Sequence, residues 1–159
     1  MSELGENRHL FLQASTTSQY VAQIVGVQLT PIGIPGFLLA ILTHVRDHEP
    51  VSPTEISRVS GAPMTTLRDN IQRLVDRKLV RRTPNPADRR SYLLRLTARG
   101  RAVTVAADPA LLEAYLALER HLPRPRAEYE QTLEELNGAL EHALEDLGSA
   151  SAAAETKAV

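Results

Sequence analysis

The residues of this sequence best suited to chemistry are basic and polar side chains concentrated between residues 51 and 101. This third of the chain holds 12 Lys or Arg and 4 Asp or Glu, a balance of +8, whereas the whole chain has a net charge of −1. A segment of this kind binds polyanions, because each phosphate that it neutralises releases condensed counterions. The uneven charge therefore predicts that a nearly neutral chain binds nucleic acid through this segment.

One stretch of the basic segment, residues 63–77, has the spacing of an amphipathic helix. Apolar residues from Met64 to Val75 recur every three or four positions, so they form a stripe that faces the core. We expect the opposite, polar face to enter the major groove, where each base pair shows its own pattern of donors and acceptors. The predicted DNA-contacting residues on this face are Thr65, Thr66, Arg68, Asp69, Gln72 and Arg73.

The side chains on that face differ in the base edges that they suit. The amide of Gln72 suits adenine, and the guanidinium of Arg68 or Arg73 suits guanine or phosphate. Asp69 can accept a hydrogen bond from cytosine or orient an arginine. The alternative is a solvated helix face on which Asp69 pairs with Arg73 one turn later.

Two β-like runs follow, residues 79–83 and 91–96, and a turn-rich basic loop joins them. The pattern predicts a β-hairpin with a positively charged tip, in other words a wing. Arg89 and Arg90 lie at the tip, and a narrow minor groove attracts inserted arginine side chains. Arg82 is expected either to contact phosphate, which positions a protein without reading sequence, or to be a charge of the wing stem.

A shorter helix is predicted just before the amphipathic one, over residues 52–60. Ser52 and Glu55 have the spacing of a capping box, which marks a helix start. We expect Ile56 and Val59 to be buried. Two short helices joined by a turn that contains glycine make a helix-turn-helix.

Longer helices are predicted over residues 8–28, 36–48, 97–120 and 125–147. Within the third of these, Asp108-Pro109 predicts a kink or a break, because proline lacks a backbone donor and clashes with the preceding turn. The first and last helices carry apolar stripes that nothing else in the chain covers fully. The predicted fold is mainly α with a small β-hairpin wing.

The stretch from Leu74 to Gly100 combines a helix end, a basic turn-rich loop and a second helix start. Leucines, a Thr-x-x-Gly and an Asp-x-Arg stand at fixed spacings in it. On these residues the chain resembles the MarR-type (multiple antibiotic resistance regulator) family, and the order of its elements is similar over nearly the whole length. The matching residues are Leu79, Val80, Arg82, Asp88, Arg90, Leu94, Leu96, Thr97 and Gly100.

The resemblance implies a division of the chain into functional regions. A winged helix-turn-helix DNA-binding domain would span residues 36–97, and residues 1–30 with 98–148 would form a helical dimerisation region. Residues 149–159 would be a flexible tail. In the wing, Asp88 would pair with an arginine and shape the loop.

The function implied by the resemblance is that of a sequence-specific transcription regulator. It would be a ligand-responsive homodimeric repressor that binds a pseudo-palindromic operator in double-stranded DNA, with half-sites about one helical turn apart. Two alternatives stay open. One is a winged-helix protein-interaction module, and the other is a constitutive DNA binder without an effector.

The sequence departs from the family pattern at two places. Lys78 stands where the family has a glycine that ends its recognition helix. The corresponding helix here is the one predicted over residues 63–77. A left-handed conformation costs a non-glycine residue on the order of 1 kcal/mol, so we expect the helix to end differently. Arg68-Asp69 is also unusual, which leaves the preferred DNA sequence open.

A small aromatic or phenolic effector is the only ligand that the resemblance implies, in a crevice lined by Tyr20, Phe37, His44 and Tyr115. Each of these residues is more often ordinary core or interface. His44 and His48 stand one helical turn apart, but no third metal ligand is evident. No cofactor and no metal are therefore expected.

Several classes of protein are excluded or disfavoured by composition. The chain has no cysteine, so disulfides, thiolate zinc sites and cysteine redox sensing are excluded. No nucleotide-binding, metalloprotease or hydrolase motif is present, so an enzyme is not expected. The first residues lack the pattern of a signal peptide, and no run approaches the roughly 20 apolar residues that span a bilayer. We expect a cytoplasmic protein without membrane contact.

Overall fold

The computed structural model describes the backbone of residues 3–157 and the side chains of residues 9–149. The chain divides into two compact units, residues 1–116 and residues 117–159. A 3-10 turn, Thr30–Ile32, follows the first helix. The described elements are α1 (Glu3–Leu29), α2 (Gly36–His48), α3 (Pro53–Ser60), α4 (Met64–Asp76), β1 (Val80–Pro84), β2 (Tyr92–Leu96), α5 (Ala98–Glu119) and α6 (Arg126–Lys157).

The prediction of a mainly helical fold with one β-hairpin is confirmed. The two terminal helices are longer than predicted: α1 begins at Glu3, and α6 continues ten residues beyond the predicted end at 147. The sequence of the extension is rich in alanine, which has the highest helix propensity. A flexible tail was predicted over residues 149–159. Beyond residue 149 no side chain is described, so the flexibility stays a prediction.

Helix α2 lies at the centre of the first unit. Leu42 and Val45 are fully buried, and they belong to one cluster with residues of α4 and β2. Burial of this apolar surface is the main favourable term for folding. The cluster thereby fixes the helix-turn-helix and the wing to a common core.

The start of α3 is the predicted capping box. The Ser52 Oγ accepts from the backbone N–H of Glu55 at 3.2 Å, and the Glu55 carboxylate accepts from the N–H of Ser52 at 2.9 Å. This backbone hydrogen bond holds the pKa of Glu55 below its usual value. Ile56 is buried as predicted, but the prediction for Val59 is wrong, because its side chain is 61% exposed and borders a cavity instead of close-packed neighbours.

Lys78 adopts the left-handed conformation that its residue type disfavours, with φ of 56°. The N–H of Lys78 bonds to the carbonyl of Val75, and the N–H of Leu79 bonds to the carbonyl of Leu74 at 2.9 Å. These two bonds make a Schellman motif, with Leu74 and Leu79 both buried beneath it. The expectation that α4 ends differently is therefore wrong, since the turn is held by contacts on both sides of Lys78.

Helix α5 begins directly against that turn. The Thr97 hydroxyl donates to the Lys78 carbonyl at 2.7 Å and accepts from the N–H of Gly100 at 3.0 Å. A Cβ on Gly100 would lie 2.0 Å from the Leu79 carbonyl oxygen. Only glycine fits this approach, which gives the Thr-x-x-Gly motif a physical reason.

Helix α5 continues through Pro109, so the predicted interruption is not a break in the helix. The carbonyl that loses its helical donor belongs to Val105, which is 64% exposed and therefore accessible to water. In addition, Arg46 on α2 donates to both carboxylate oxygens of Asp108, at 2.8 and 3.1 Å. This ion pair attaches the proline-containing turn of α5 to α2.

The wing is an antiparallel pair in which Arg82 lies opposite Leu94. Its second strand also bonds to the segment before α3, through reciprocal N–H to carbonyl bonds between Val51 and Leu94. The Glu49 carboxylate accepts from the N–H of Leu96 at 2.7 Å and forms an ion pair with Arg101. The base of the wing is thus connected to α2 and α5 by groups that the sequence patterns did not reveal.

Among the described residues, no single helix is long and apolar enough to cross a membrane. Two consecutive segments, residues 9–32 and 36–48, are together long and apolar enough for a span, by length and composition only. A bend of 80° separates them.

The strained turn after α4 predicts a stabilising substitution. Lys78→Gly should raise the free energy of unfolding by roughly 0.5–1 kcal/mol, because relief of the left-handed strain exceeds the extra freedom of glycine in the unfolded chain. Lys78→Ala is the matched control, since it removes the same side chain but keeps the strain. Urea unfolding of the three proteins measures the difference, and equal stability of the two variants would contradict the strain.

Candidate DNA interface

The polar face of α4 is exposed to solvent. Leu67, Ile71 and Leu74 are buried on the opposite face, which fixes how the helix is rotated. The six residues predicted to contact DNA on α4 are all exposed: Thr65, Thr66, Arg68, Asp69, Gln72 and Arg73.

The charged residues of this face are not neutralised by one another. Within the described part of the chain, no ion pair or side-chain hydrogen bond involves Arg68, Asp69 or Arg73. The alternative of an Asp69–Arg73 pair is therefore not formed. Unpaired guanidinium groups on an exposed helix face retain all their donors for an anionic partner.

Gln72 differs from its neighbours because its amide has two partners. It donates to the carboxylate of Asp76 at 2.7 Å and accepts from the guanidinium of Arg82 at 2.8 Å. Arg82 also lies over the ring of Tyr92, with its Cζ 4.8 Å from the centroid. Arg82, in the stem of the wing, is thus connected to α4.

The wing loop is ordered by its own short polar side chains. The Asn85 amide donates to the hydroxyl of Ser91 at 2.8 Å, and its oxygen accepts from the N–H of Ala87 at 3.0 Å. Such bonds to nearby backbone favour turns over strands. The loop therefore holds a defined shape while Arg89 and Arg90 stay exposed at its tip.

Asp88 shapes this loop in a different way from the one that the resemblance implies. Its carboxylate accepts from the backbone N–H of Arg90 at 2.9 Å, and it forms no ion pair with an arginine among the described residues. The implied arginine pair is therefore replaced by an Asx turn. An Asp two residues before a backbone donor forms this turn locally, without a distant partner.

A groove lies between the wing and the start of α4, with a volume of about 320 Å³. Arg68 of the helix and Arg90 of the wing both line it, together with Ser52 and Thr54 at the start of α3. The structure therefore brings predicted contact residues from the helix and the wing to one surface. The contribution of Ser52 and Thr54 was not predicted, because the capping role of Ser52 explained that segment fully.

Two of the four residues predicted to line an effector crevice line one cavity in the structure. Phe37 and His44 line a cavity of about 410 Å³ enclosed by α2, α3 and α4, whereas Tyr20 and Tyr115 do not line it. Tyr20 is 62% exposed on α1. The grouping of Tyr20 and Tyr115 with Phe37 and His44 therefore stays a prediction.

Other residues complete the cavity, and the exposed Val59 is among them. A second cavity, of about 620 Å³, lies between α1, α2 and α5 and shares Phe37 with the first. Most of the lining of both cavities is apolar, with few polar groups, as is usual for small-molecule sites. The position of the first cavity beside the helix-turn-helix was not evident from residue types.

His44 is the titratable group of the smaller cavity. Burial lowers the pKa of His44, and the adjacent His48 lowers it further. The two rings stack with centroids 4.4 Å apart. No group of three or more potential metal ligands occurs within the described residues. The lowered pKa of His44 favours the neutral imidazole in this apolar cavity.

The helix-turn-helix, the wing packed beside it and the unpaired arginines on both define a winged helix-turn-helix protein. The family model that matches, described as the MarR family, covers residues 38–91. Over those residues this chain is similar to the MarR family.

Two curated relatives and one solved structure illustrate the similarity. The HTH-type transcriptional repressor NicR of Pseudomonas putida is 33% identical over 58% of this chain and 56% of its own length. The multiple antibiotic resistance protein MarR of Escherichia coli is 30% identical over 51% of this chain and 56% of its own. A mutant E. coli MarR complexed with operator DNA has a TM-score of 0.73 at 24% identity, over 88% of this chain and 99% of that one.

The sequence similarity to curated relatives is limited to part of each protein. The chain spans just over half the length of the curated relatives that it matches. The structural likeness extends further, over 88% of this chain, and at that identity it concerns the fold.

The Asx turn at Asp88 predicts a local effect of mutation. Asp88→Ala should speed amide hydrogen exchange at Arg90, because its N–H loses an acceptor, and should cost at most about 1.5 kcal/mol of stability. Asp88→Asn should keep the protection, since an amide oxygen can accept the same bond. Exchange measured by NMR distinguishes them, and equal rates in both variants would contradict the turn.

Proposed function

We propose that this chain is a sequence-specific DNA-binding transcription regulator and not an enzyme. The observation that carries the proposal is the groove in which Arg68 of α4 and Arg90 of the wing face the same surface without ion-pair partners among the described residues. An α-helix fits the major groove, and a wing arginine fits the adjacent minor groove. The surrounding segment of residues 51–101 carries a balance of +8, which adds a favourable electrostatic term.

A homodimer is part of the proposal. Large apolar side chains are exposed along α1, among them Phe11, Val21 and Val27, and along α6, among them Leu133 and Leu147. Exposed apolar patches of this kind mark protein–protein contacts. A second copy of the chain would cover them and would place two recognition helices on a pseudo-palindromic operator.

The proposed division of labour follows from these surfaces. Residues 36–97 would bind DNA, and residues 1–30 with 98–148 would form the dimer. Because the relative NicR is named a transcriptional repressor, we propose repression as the mode of action. A regulator of this kind works where the DNA is, so we place the protein in the cytoplasm.

The most detailed part of the proposal is that the protein responds to a small aromatic or phenolic effector. The cavity at Phe37 and His44 touches α3 and α4 at once, so an occupant would contact the recognition helix directly. A ligand shifts the equilibrium only by its difference in affinity for the two states. An occupant that fits a rotated α4 better would therefore release DNA.

The DNA-binding proposal is tested with duplexes selected from a random library by the full chain. The logarithm of the affinity should fall steeply and linearly with the logarithm of salt concentration, since binding displaces counterions. Arg90→Ala should weaken binding and make the salt dependence less steep, by about one unit of slope. Arg120→Ala, which removes an equal charge outside the basic segment, should leave the slope unchanged. A salt-independent affinity, or none, would contradict the proposal.

The effector proposal is tested with phenol and benzoate as neutral and anionic probes of DNA release. The lowered pKa of His44 keeps its imidazole neutral at pH 7, so phenol can donate to it, whereas benzoate should bind better as the pH falls and His44 gains a proton. Phe37→Ala and His44→Gln should abolish the effect, and Tyr20→Ala should not. If neither probe changes DNA affinity, the effector proposal is wrong for this class of ligand, and the chain binds DNA constitutively in its presence.

A further inference from the structure

The amide of Gln72 is held between two groups of opposite charge. Its nitrogen lies 2.7 Å from a carboxylate oxygen of Asp76, and its oxygen lies 2.8 Å from a guanidinium nitrogen of Arg82. A guanidinium has only donors, and an ionised carboxylate has only acceptors. These two partners therefore fix which end of the amide is oxygen and which is nitrogen.

Both partners are themselves held in place. Arg82 lies over the ring of Tyr92, across the hairpin, with 4.8 Å between its Cζ and the ring centroid. Asp76 is the last residue of α4. The amide is thus braced by the wing on one side and by its own helix on the other.

The position of Asp76 is unfavourable for the helix itself. The C-terminal end of a helix carries partial negative charge, so an acidic residue in the last turn is destabilising. Arg73, one turn of helix away, does not pair with Asp76 among the described residues. The hydrogen bond from Gln72 is therefore the favourable contact of the Asp76 carboxylate among the described residues.

We propose that Asp76 and Arg82 are positioning residues for base recognition, which act by holding the Gln72 amide in one orientation. The inference rests on the proposed DNA-binding function. With one N–H and one lone pair already used, the amide keeps one N–H and one lone pair. An adenine offers an N7 acceptor and an N6 donor side by side in the major groove, and this pair matches what the amide has left.

The contacts with Asp76 and Arg82 lower the entropy that the Gln72 side chain loses when it binds that base. A free glutamine side chain on a helix surface samples several rotamers and both amide orientations, and binding must select one of them. A side chain that is already fixed loses less entropy on binding. Arg82 consequently acts through Gln72, and its role differs from that of Arg81, which neighbours it in β1 and has no side-chain partner among the described residues.

The test measures base preference as well as affinity. Duplexes are selected from a random library by the full wild-type chain and by each variant, and the affinity ratio for the preferred base over the other three is then measured at each position. Gln72→Ala should lower that ratio at one adenine step by about fivefold or more. Asp76→Ala and Arg82→Ala should lower the ratio at the same step by a similar factor, although neither residue contacts the base.

Three controls separate positioning from charge and from stability. Asp76→Asn should retain the preference, because its amide oxygen can still accept from Gln72. Arg81→Ala should weaken binding at all sequences by a similar factor and leave the preference unchanged, since it removes only a positive charge. Asp76→Ala should not lower the free energy of unfolding, because it removes an acidic residue from a helix C-terminus.

The outcomes are distinguishable. If Asp76→Ala and Arg82→Ala keep the wild-type base preference while Gln72→Ala loses it, Gln72 reads the base unaided and the positioning role is overturned. If Gln72→Ala keeps the preference, the amide reads no base and the inference is equally overturned. If the wild-type chain selects no DNA, the proposed function fails and the inference fails with it.

Discussion

The carbonyl oxygen of Leu79 lies where the recognition helix, the wing and α5 meet. It accepts from the N–H of Thr97, and Gly100 approaches it so closely that no side chain fits between. Leu79 also closes the turn that ends α4, through its N–H to the carbonyl of Leu74. The backbone of this one residue thus contacts all three elements, and the placement of the proposed DNA contacts depends on that geometry.

The arginines of the basic segment divide into two groups with different environments. Arg82 and Arg101 are engaged by neighbouring side chains, and they connect the wing to the helices beside it. Arg68, Arg73 and Arg90 face solvent without ion-pair partners within the described residues. A count of charges along the sequence treats these residues alike, whereas the fold separates those that shape the surface from those that a polyanion can reach.

The sequence predicted those features that depend on local signals. The capping box at Ser52 and the limits of α2 follow from residues within one or two turns, and both are confirmed. The left-handed Lys78 was not predicted, because buried leucines and Thr97, nineteen residues later, outweigh its intrinsic preference. Likewise, the contact of Arg82 with Gln72 joins residues that only the hairpin brings together.

The candidate ligand cavity was predictable in composition but not in shape. An aromatic residue and a histidine two helical turns apart indicate a site only once neighbouring helices define its walls. Val59 was predicted as core, and its exposure reveals that α3 leaves a gap beside α2. Gaps of this kind depend on how side chains of three helices interdigitate, which periodicity does not specify.

Phe37 lines two cavities, one beside the helix-turn-helix and the other between α1, α2 and α5. A single ring has one rotamer at a time, so occupants of the two cavities would compete for its orientation. Thermodynamic linkage makes such a coupling equal in both directions. A compound that fills the cavity next to α1 and reorients Phe37 would therefore change the affinity of the cavity next to α4 without touching α4.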